Sequence, residues 1–236
     1  MTVNGYALPP LLPGRLIKRY KRFLADVRLD TGKIVTAHCP NSGSMLGCAV
    51  PGSRVWISRS DNPRRKLKYT WELIRTEQSM IGVNTLVPNK LVKTAIENNL
   101  IPELCGYEKV RSEVKTSKGT RLDLVLEDGT DRRCYVEIKN CTLVENGTAM
   151  FPDAVTKRGQ KHLDELEDLV GAGHRGVIFY LIQRTDAVRF SPAGMIDKVY
   201  AQKLLHAQKK GVEIITRDVG ITLEHIHINQ RIPVLL

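Results

Sequence analysis

Residues 121–140 read Arg121-Leu-Asp-Leu-Val-Leu126, then Glu-Asp-Gly-Thr-Asp-Arg-Arg133, then Cys134-Tyr-Val-Glu-Ile-Lys-Asn140. The outer pieces alternate apolar and polar residues, the period of half-buried strands. Asp128-Gly129 between them is a turn signal, so the stretch predicts a β-hairpin with a seven-residue loop (residues 127–133). Setting Leu126 opposite Cys134 places Asp123 opposite Glu137. Side chains alternate along a strand. Leu122, Leu124, Leu126, Val136 and Ile138 then share one face, and Asp123, Glu137 and Lys139 the other. The preceding run, residues 110–115, with a turn at Lys118-Gly119, extends the sheet and sets Glu113 opposite Asp123. A slip of one residue would turn all of these side chains over.

In that register three carboxylates, Glu113, Asp123 and Glu137, form a row across three strands with Lys139 beside them. Like charges on neighbouring strands repel. A divalent cation offsets that repulsion, and Mg²⁺ is a hard ion that takes carboxylate oxygens while keeping several waters. A metal-bound water beside a lysine suits phosphodiester hydrolysis, which needs an activated nucleophile and positive charge where the transition state grows more negative. A single Asp or Glu on a strand signifies only a solvated face. The combination of Asp, loop and Glu-x-Lys, with the apolar residues on the opposite face, is more specific.

Asp123 with Glu137-Ile-Lys139 resembles the PD-(D/E)xK nuclease motif. The text around it resembles the sugar fermentation stimulation protein A family. The matching stretches are Arg19-Tyr-Lys-Arg-Phe-Leu-Ala-Asp26, His38-Cys-Pro-Asn-Ser-Gly-Ser-Met45, Tyr69-Thr-Trp-Glu-Leu73, Phe151-Pro-Asp-Ala-Val-Thr156 and Arg158-Gly-Gln-Lys-His-Leu163. The resemblance implies an N-terminal OB-like barrel, a C-terminal nuclease-like domain and DNA binding without sequence specificity. It implies Asp123 and Glu137 as ligands of Mg²⁺ or Mn²⁺, with the Ile138 carbonyl as a further ligand. Glu113 would support the metal directly or through water. The chain departs from the nuclease pattern in one place: Leu122, not Pro, precedes Asp123. The rival implication is a DNA-binding regulator of sugar or maltose metabolism whose nuclease-like domain does no chemistry.

The 236 residues carry a net charge of +11, unevenly spread. Residues 1–83 hold 14 Lys and Arg against 5 Asp and Glu, and residues 84–236 hold 22 against 20. A positive excess concentrated in the first third points to a polyanionic partner, most simply nucleic acid. No apolar stretch approaches the length of a bilayer span. The five scattered cysteines and the lack of a basic-then-apolar leader suit a reducing, cytoplasmic setting.

Along residues 1–83 the turn signals separate about five strands. They are 15–29, read as one long strand, then 34–39, 53–60, 67–76 and 81–84, enough for a small OB-type barrel. Basic and aromatic residues interleave in it, as in single-strand binders. Arg19, Lys21, Arg22, Arg64, Arg65 and Lys66 are candidate phosphate contacts, Tyr69 and Trp71 candidate stacking platforms, and Phe23 a core residue. Asn41 and Ser42 lie in a Ser/Gly loop whose amides and hydroxyls suit a phosphate. The division expected is 1–83 for the basic domain and 84–236 for the nuclease-like one.

In the second part, periodicity predicts helices over 90–100, from Thr156 to about 170, and over 197–210. The run 177–182 reads as a buried strand and 212–216 as another, so the whole is a mixed α/β domain. Leu163, Leu166 and Leu169 form the buried stripe of the second helix. Arg158, Lys161, His162 and Glu165 lie off it, and Arg158 and Lys161 would neutralise phosphates. Val199, Leu204 and Leu205 are the apolar positions of the third helix.

Overall fold

The computed structural model describes residues 5–116 and 119–236. Strand β1 (Tyr6–Ala7) is followed by the strands of a barrel: β2 (Leu11–Tyr20), β3 (Leu24–Leu29), β4 (Ile34–His38), β5 (Arg54–Arg59), β6 (Tyr69–Arg75) and β7 (Met80–Gly82). Their order is β4-β3-β2-β5-β6-β7, and a parallel pairing of β4 with β6 closes the barrel over five strands. The long β2 pairs with β5 through its first half and with β3 through its second. Gly14 lies where both partners meet, and a Cβ there would stand 2.6 Å from the Arg28 carbonyl oxygen. Only glycine lets the strands approach so closely. The expected single strand over 15–29 is therefore two strands. Lys21 and Arg22, both at positive φ, turn the chain between them.

The barrel reverses two expectations about the aromatics. Phe23 sits at the tip of that turn and is 48% exposed, so it is not core. Trp71 is fully buried with Leu16, Val27 and Ile57, and its Nε1 donates to the Leu73 carbonyl at 3.0 Å. It cannot serve as a stacking platform, because both its faces and its polar atom are used inside the barrel.

The second part begins with α1 (Val87–Glu97), three residues earlier than its periodicity suggests because Pro88 suits a helix's first turn. Then come β8 (Lys109–Lys115), β9 (Arg121–Glu127), β10 (Cys134–Cys141), β11 (Leu143–Glu145), β12 (Thr148–Phe151), α2 (Lys157–Gly171), β13 (Arg175–Ile182), β14 (Arg189–Pro192), α3 (Lys198–Lys209), β15 (Glu213–Ile221) and β16 (His225–Arg231). The main sheet has the order β1-β16-β15-β13-β10-β9-β8, with β13 parallel to both β10 and β15. β11, β12 and β14 form a small separate sheet. This is the mixed α/β architecture expected, but β1 crosses the expected division at residue 83 by pairing with β16.

Helices cover both faces of the main sheet. Leu91, Val92 and Ile96 of α1 pack with Leu124, Leu126, Val136 and Ile138. Leu163 and Leu166 of α2 and Leu204 of α3 pack with Val125, Tyr135, Ile178 and Tyr180. The central strands are thus buried on both faces, not half-buried as the alternation implied. Leu122 belongs to the second cluster, not to the one holding Leu124 and Leu126. Val199, expected to be apolar and inward, is 48% exposed. Thr156 caps α2 by accepting from the Gly159 amide at 3.0 Å, and Asp197 caps α3 by accepting from Tyr200 at 2.9 Å. No helix among the described residues is long and apolar enough to cross a membrane. All five cysteines are free thiols.

The two aromatic assignments are separable by stability. Trp71→Ala should cost about 3–5 kcal/mol in denaturant unfolding, the range for emptying an aromatic core site. Phe23→Ala should stay within about 0.5 kcal/mol of the parent, as exposed substitutions do. Equal losses would contradict this placement.

A candidate metal and phosphate site at the barrel junction

The hairpin pairs in the expected register, with Leu126 opposite Cys134 and Leu124 opposite Val136. Beyond that rung β9 and β10 separate. The Ile138 amide, freed from a ladder partner, donates instead to Asp123 Oδ2 at 2.8 Å. Asp123 Oδ1 accepts from Asn89 Nδ2 of α1 at 2.7 Å. A carboxylate so takes the place of a backbone rung and is fixed against β10. Burial raises the Asp123 carboxyl, and Glu137 nearby raises it further, to about 6.

Glu137 and Lys139 follow on β10, two residues apart and therefore on one face. Glu137 is 3% exposed and Lys139 9%. Lys139 Nζ lies 2.6 Å from Glu137 Oε1. His162 of α2 closes the group, with Nδ1 against the same Oε1 and 3.2 Å from Lys139 Nζ. Arg158 Nε donates to His162 Nε2 at 3.3 Å, which leaves Nδ1 as the donor to Glu137. Burial by itself would raise the Glu137 carboxyl. The Lys139 charge and the His162 hydrogen bond outweigh it and hold the group below its ordinary value. Glu137 Oε2 is buried without a hydrogen-bond partner.

Glu113 does not join the row. The β8–β9 register is as expected, with Ser112 opposite Leu124 and Val114 opposite Leu122. Glu113 itself takes φ +56°, and its carboxylate swings out to Arg121 at 3.3 Å, both side chains more than half exposed. A left-handed residue re-aims its side chain, which strand alternation alone does not anticipate. Lys118 of the expected turn lies outside the described residues. No cluster of three or more His, Cys, Asp and Glu able to hold a metal occurs among the described residues. The pair Asp123 and Glu137 nonetheless fits a cation, because the unpartnered Glu137 Oε2 is a buried acceptor with nothing to accept from.

The barrel supplies one wall. Its loop of residues 41–43 lines a cavity of about 200 Å³ together with Thr85, Lys139, Asn140 and Asp153. Asp153 ties the loop down: Ser44 Oγ and the Met45 amide each reach Asp153 Oδ2 at 3.1 Å. A Cβ at Gly43 would come within 2.6 Å of that oxygen. Arg19 braces the same loop by donating to the carbonyls of Asn41 and Gly43 at 2.9 Å. Arg19 and the buried Asn41 therefore shape the wall, while Ser42 is exposed on it. On the far side Arg158 and Lys161 line a cavity of about 410 Å³ with Arg121, Lys157 and His162.

The other basic candidates lie elsewhere on the barrel. Lys21 and Arg22 project from the β2–β3 turn, and Arg64 and Lys66 from the β5–β6 loop, all exposed. Arg65 donates to Thr70 Oγ1 at 3.0 Å, and Tyr69 is half-buried against the barrel core. His162 and Asn89 are the site residues that sequence reading missed. A signal for His162 was available, since Gly159, His162, Leu163 and Leu166 keep the spacing of one helix face, and all four are buried. Nothing local marks Asn89.

A closed five-stranded OB barrel followed by an α/β domain, with carboxylates and a lysine where the two meet, defines the class of protein. The profile of the "SfsA N-terminal OB domain" matches residues 17–83, and that of the "Sugar fermentation stimulation protein RE domain" matches residues 86–225. The sugar fermentation stimulation protein homolog of Geotalea daltonii is 54% identical over 98% of this chain and 100% of its own. The homolog of Brucella anthropi is 49% identical over 95% of this chain and 97% of its own. The solved structure of Pyrococcus furiosus SfsA in complex with Ca²⁺ is 26% identical, covers both chains fully and superposes with a TM-score of 0.90. The chain belongs to the sugar fermentation stimulation protein family.

The Asp123 carboxyl generates a pH dependence. Its value when folded, about 6, lies above its ordinary 3.8. A raised carboxyl contributes stability that is present below the unfolded value and lost as pH rises through the folded one. In EDTA, the parent should therefore lose thermal stability relative to Asp123→Asn as pH rises from about 4 to 7. A difference in midpoint that stays constant over this window would show that Asp123 is not so perturbed.

Proposed function

We propose that this protein binds nucleic acid, most simply DNA, without sequence specificity, and hydrolyses phosphodiester bonds at the Asp123–Glu137–Lys139 site with a divalent cation. One observation carries the reading: a buried carboxylate with an unpartnered oxygen, Glu137 Oε2, shares a face with a buried lysine and adjoins a second fixed carboxylate. Asp123 and Glu137 would hold Mg²⁺ or Mn²⁺, with the Ile138 carbonyl as a further oxygen. The Ca²⁺ in the Pyrococcus furiosus relative supports an oxygen-ligand site. When bound, such an ion supplies Lewis acidity and an acidified water.

The chain's own residues do the rest. Lys139 lies within reach of a water beside Glu137 and places positive charge where the phosphate gains negative charge. His162 holds Glu137 and Lys139 in that relation from the opposite wall. Arg158 and Lys161 neutralise neighbouring phosphates, and the basic barrel grips the backbone. Glu113, turned out to Arg121, serves at most through solvent.

A second reading, binding without cleavage, has its own observation in favour. Lys139 and His162, both from within the protein, satisfy Glu137 Oε1. Purified protein on labelled single- and double-stranded DNA in EDTA, Mg²⁺ or Mn²⁺ separates the two. Cleavage should require the metal. Lys139→Ala should lower its rate on the order of a hundredfold or more. Affinity should hardly change, since 35 of the 36 Lys and Arg remain. Equal cleavage by parent and variant would remove Lys139 from the chemistry, and a parent inert in every metal would favour the binder.

Binding itself should be electrostatic. Affinity should fall steeply with salt, because neutralising phosphates releases counterions. Reversing the charges at Arg64 and Arg65 should weaken unrelated sequences about equally in a polarisation assay. A preference for one sequence that survives high salt would contradict it.

A further inference from the structure

We propose that the cavity beside Asp123 receives an unpaired nucleobase, so that the substrate is single-stranded or locally opened nucleic acid. The inference rests on the nucleic-acid reading above and specifies the form of strand. The cavity holds about 390 Å³ and is lined by Leu86, Leu124, Lys90, Lys93, Ser112 and Asp123, among others. That volume lies within the range of small-ligand pockets, about 300–1,000 Å³, and suits one base, not a base pair in its stack.

Its chemistry matches the same occupant. Leu86 is 64% exposed at the entry to α1, an apolar side chain left at the rim and uncovered by any of the described residues. Leu124 is buried at 1% and forms part of the apolar wall. Lys90 and Lys93, three residues apart on α1 and so on one face, set positive charge at the mouth; Glu113 also lines it, paired with Arg121, and Lys93 lies 3.7 Å from Glu97. An apolar wall under a basic rim complements a base followed by its phosphates.

The burial of the site favours a flexible strand over a continuous duplex. Glu137 and Lys139 are 3% and 9% exposed; Lys139 lines the cavity of about 200 Å³, and their neighbours Asp123 and His162 line those of about 390 and 410 Å³. A base held in a duplex keeps its faces stacked, and enzymes that need one in a pocket act on single strands or extrude it at a cost of a few kcal/mol. A flexible strand can set a base in the Leu86 cavity while its backbone passes Lys90 and Lys93 at the mouth.

The test measures binding, so that it does not depend on turnover. Lys139→Ala protein in Ca²⁺ is titrated against a labelled oligothymidylate, the same strand paired with oligoadenylate, and a strand of equal length made of abasic sites. The base-bearing single strand should bind at least tenfold more tightly than either of the others. Leu86→Ser in the same background should lose roughly tenfold on the single strand. It should stay within twofold of its background on the duplex, and Leu86→Met should restore the single-strand affinity. Leu86 is exposed, so neither change threatens the fold. Equal affinity for duplex or abasic strand, or an unaltered Leu86→Ser, overturns the nucleobase site. Binding as expected with no cleavage by the parent overturns the nuclease reading alone, and no binding to any probe overturns both.

Discussion

The interaction on which the rest depends is the buried triangle of Glu137, Lys139 and His162. A carboxylate and an ammonium removed from water each carry a desolvation cost of several kcal/mol, which mutual attraction repays only with excellent geometry. Here the geometry is imposed from two directions. β10 fixes Glu137 and Lys139 on one face through its ladders with β9 and β13. α2 brings His162 onto the same oxygen, and Thr156 and Gly159 fix where that helix begins. Lys139 between Glu137 and solvent-facing Arg158 and Lys161 makes a gradient of positive charge running out of the site. Well-packed apolar residues would hold these elements together at least as well, so stability alone does not explain the triangle.

Much of this was legible in the alternation of residues 121–140. Both hairpin registers follow from where apolar residues fall and from a Gly-containing turn, because a slip of one residue would bury charges and expose leucines. The covering of the second face was not legible. Val125 and Tyr135 read equally well as scattered apolar residues on a wet face or as half of a second core, and only the packing of α2 decides. Glu113 was placed correctly along the strand and wrongly in direction, since one left-handed backbone angle is invisible to a period of two. The misplacement of Phe23 has a local cause. Reading 15–29 as a single strand carried Phe23 inward, whereas the chain reverses at Lys21 and Arg22.

The barrel is more than a basic appendage. Asp153, immediately after β12, binds the 41–45 loop through Ser44 and Met45. The Gly82 amide donates to the Gln183 carbonyl at 3.0 Å, and Ser79 Oγ accepts from the Thr185 amide at 3.0 Å. These contacts run along one line from the barrel's last strand to the end of β13. They hold the Asn41–Gly43 wall against Asn140 and Lys139; on the function proposed above, a strand bound to the barrel would lie next to the triangle. In that proposal the positive excess of residues 1–83 and the buried lysine of β10 would act on the same phosphates.

What distinguishes Glu137 is how the chain treats its other buried carboxylates. Glu72 is buried at the junction, and each oxygen has a donor, Ser58 Oγ at 2.6 Å and Asn84 Nδ2 at 2.7 Å. Asp197 takes the Thr156 and Tyr200 amides and both bonds of Gln160. Asp218 takes the Gln230 amide and side chain. A structural carboxylate is satisfied on both oxygens because an orphan costs about 1–3 kcal/mol or more when charged. Glu137 crowds two donors onto Oε1 and leaves Oε2 with none. The same chain that satisfies Glu72 fully leaves this acceptor open beside Asp123, whose own proton is weakly held near neutral pH. An open acceptor next to a displaceable proton is the arrangement that a divalent cation completes.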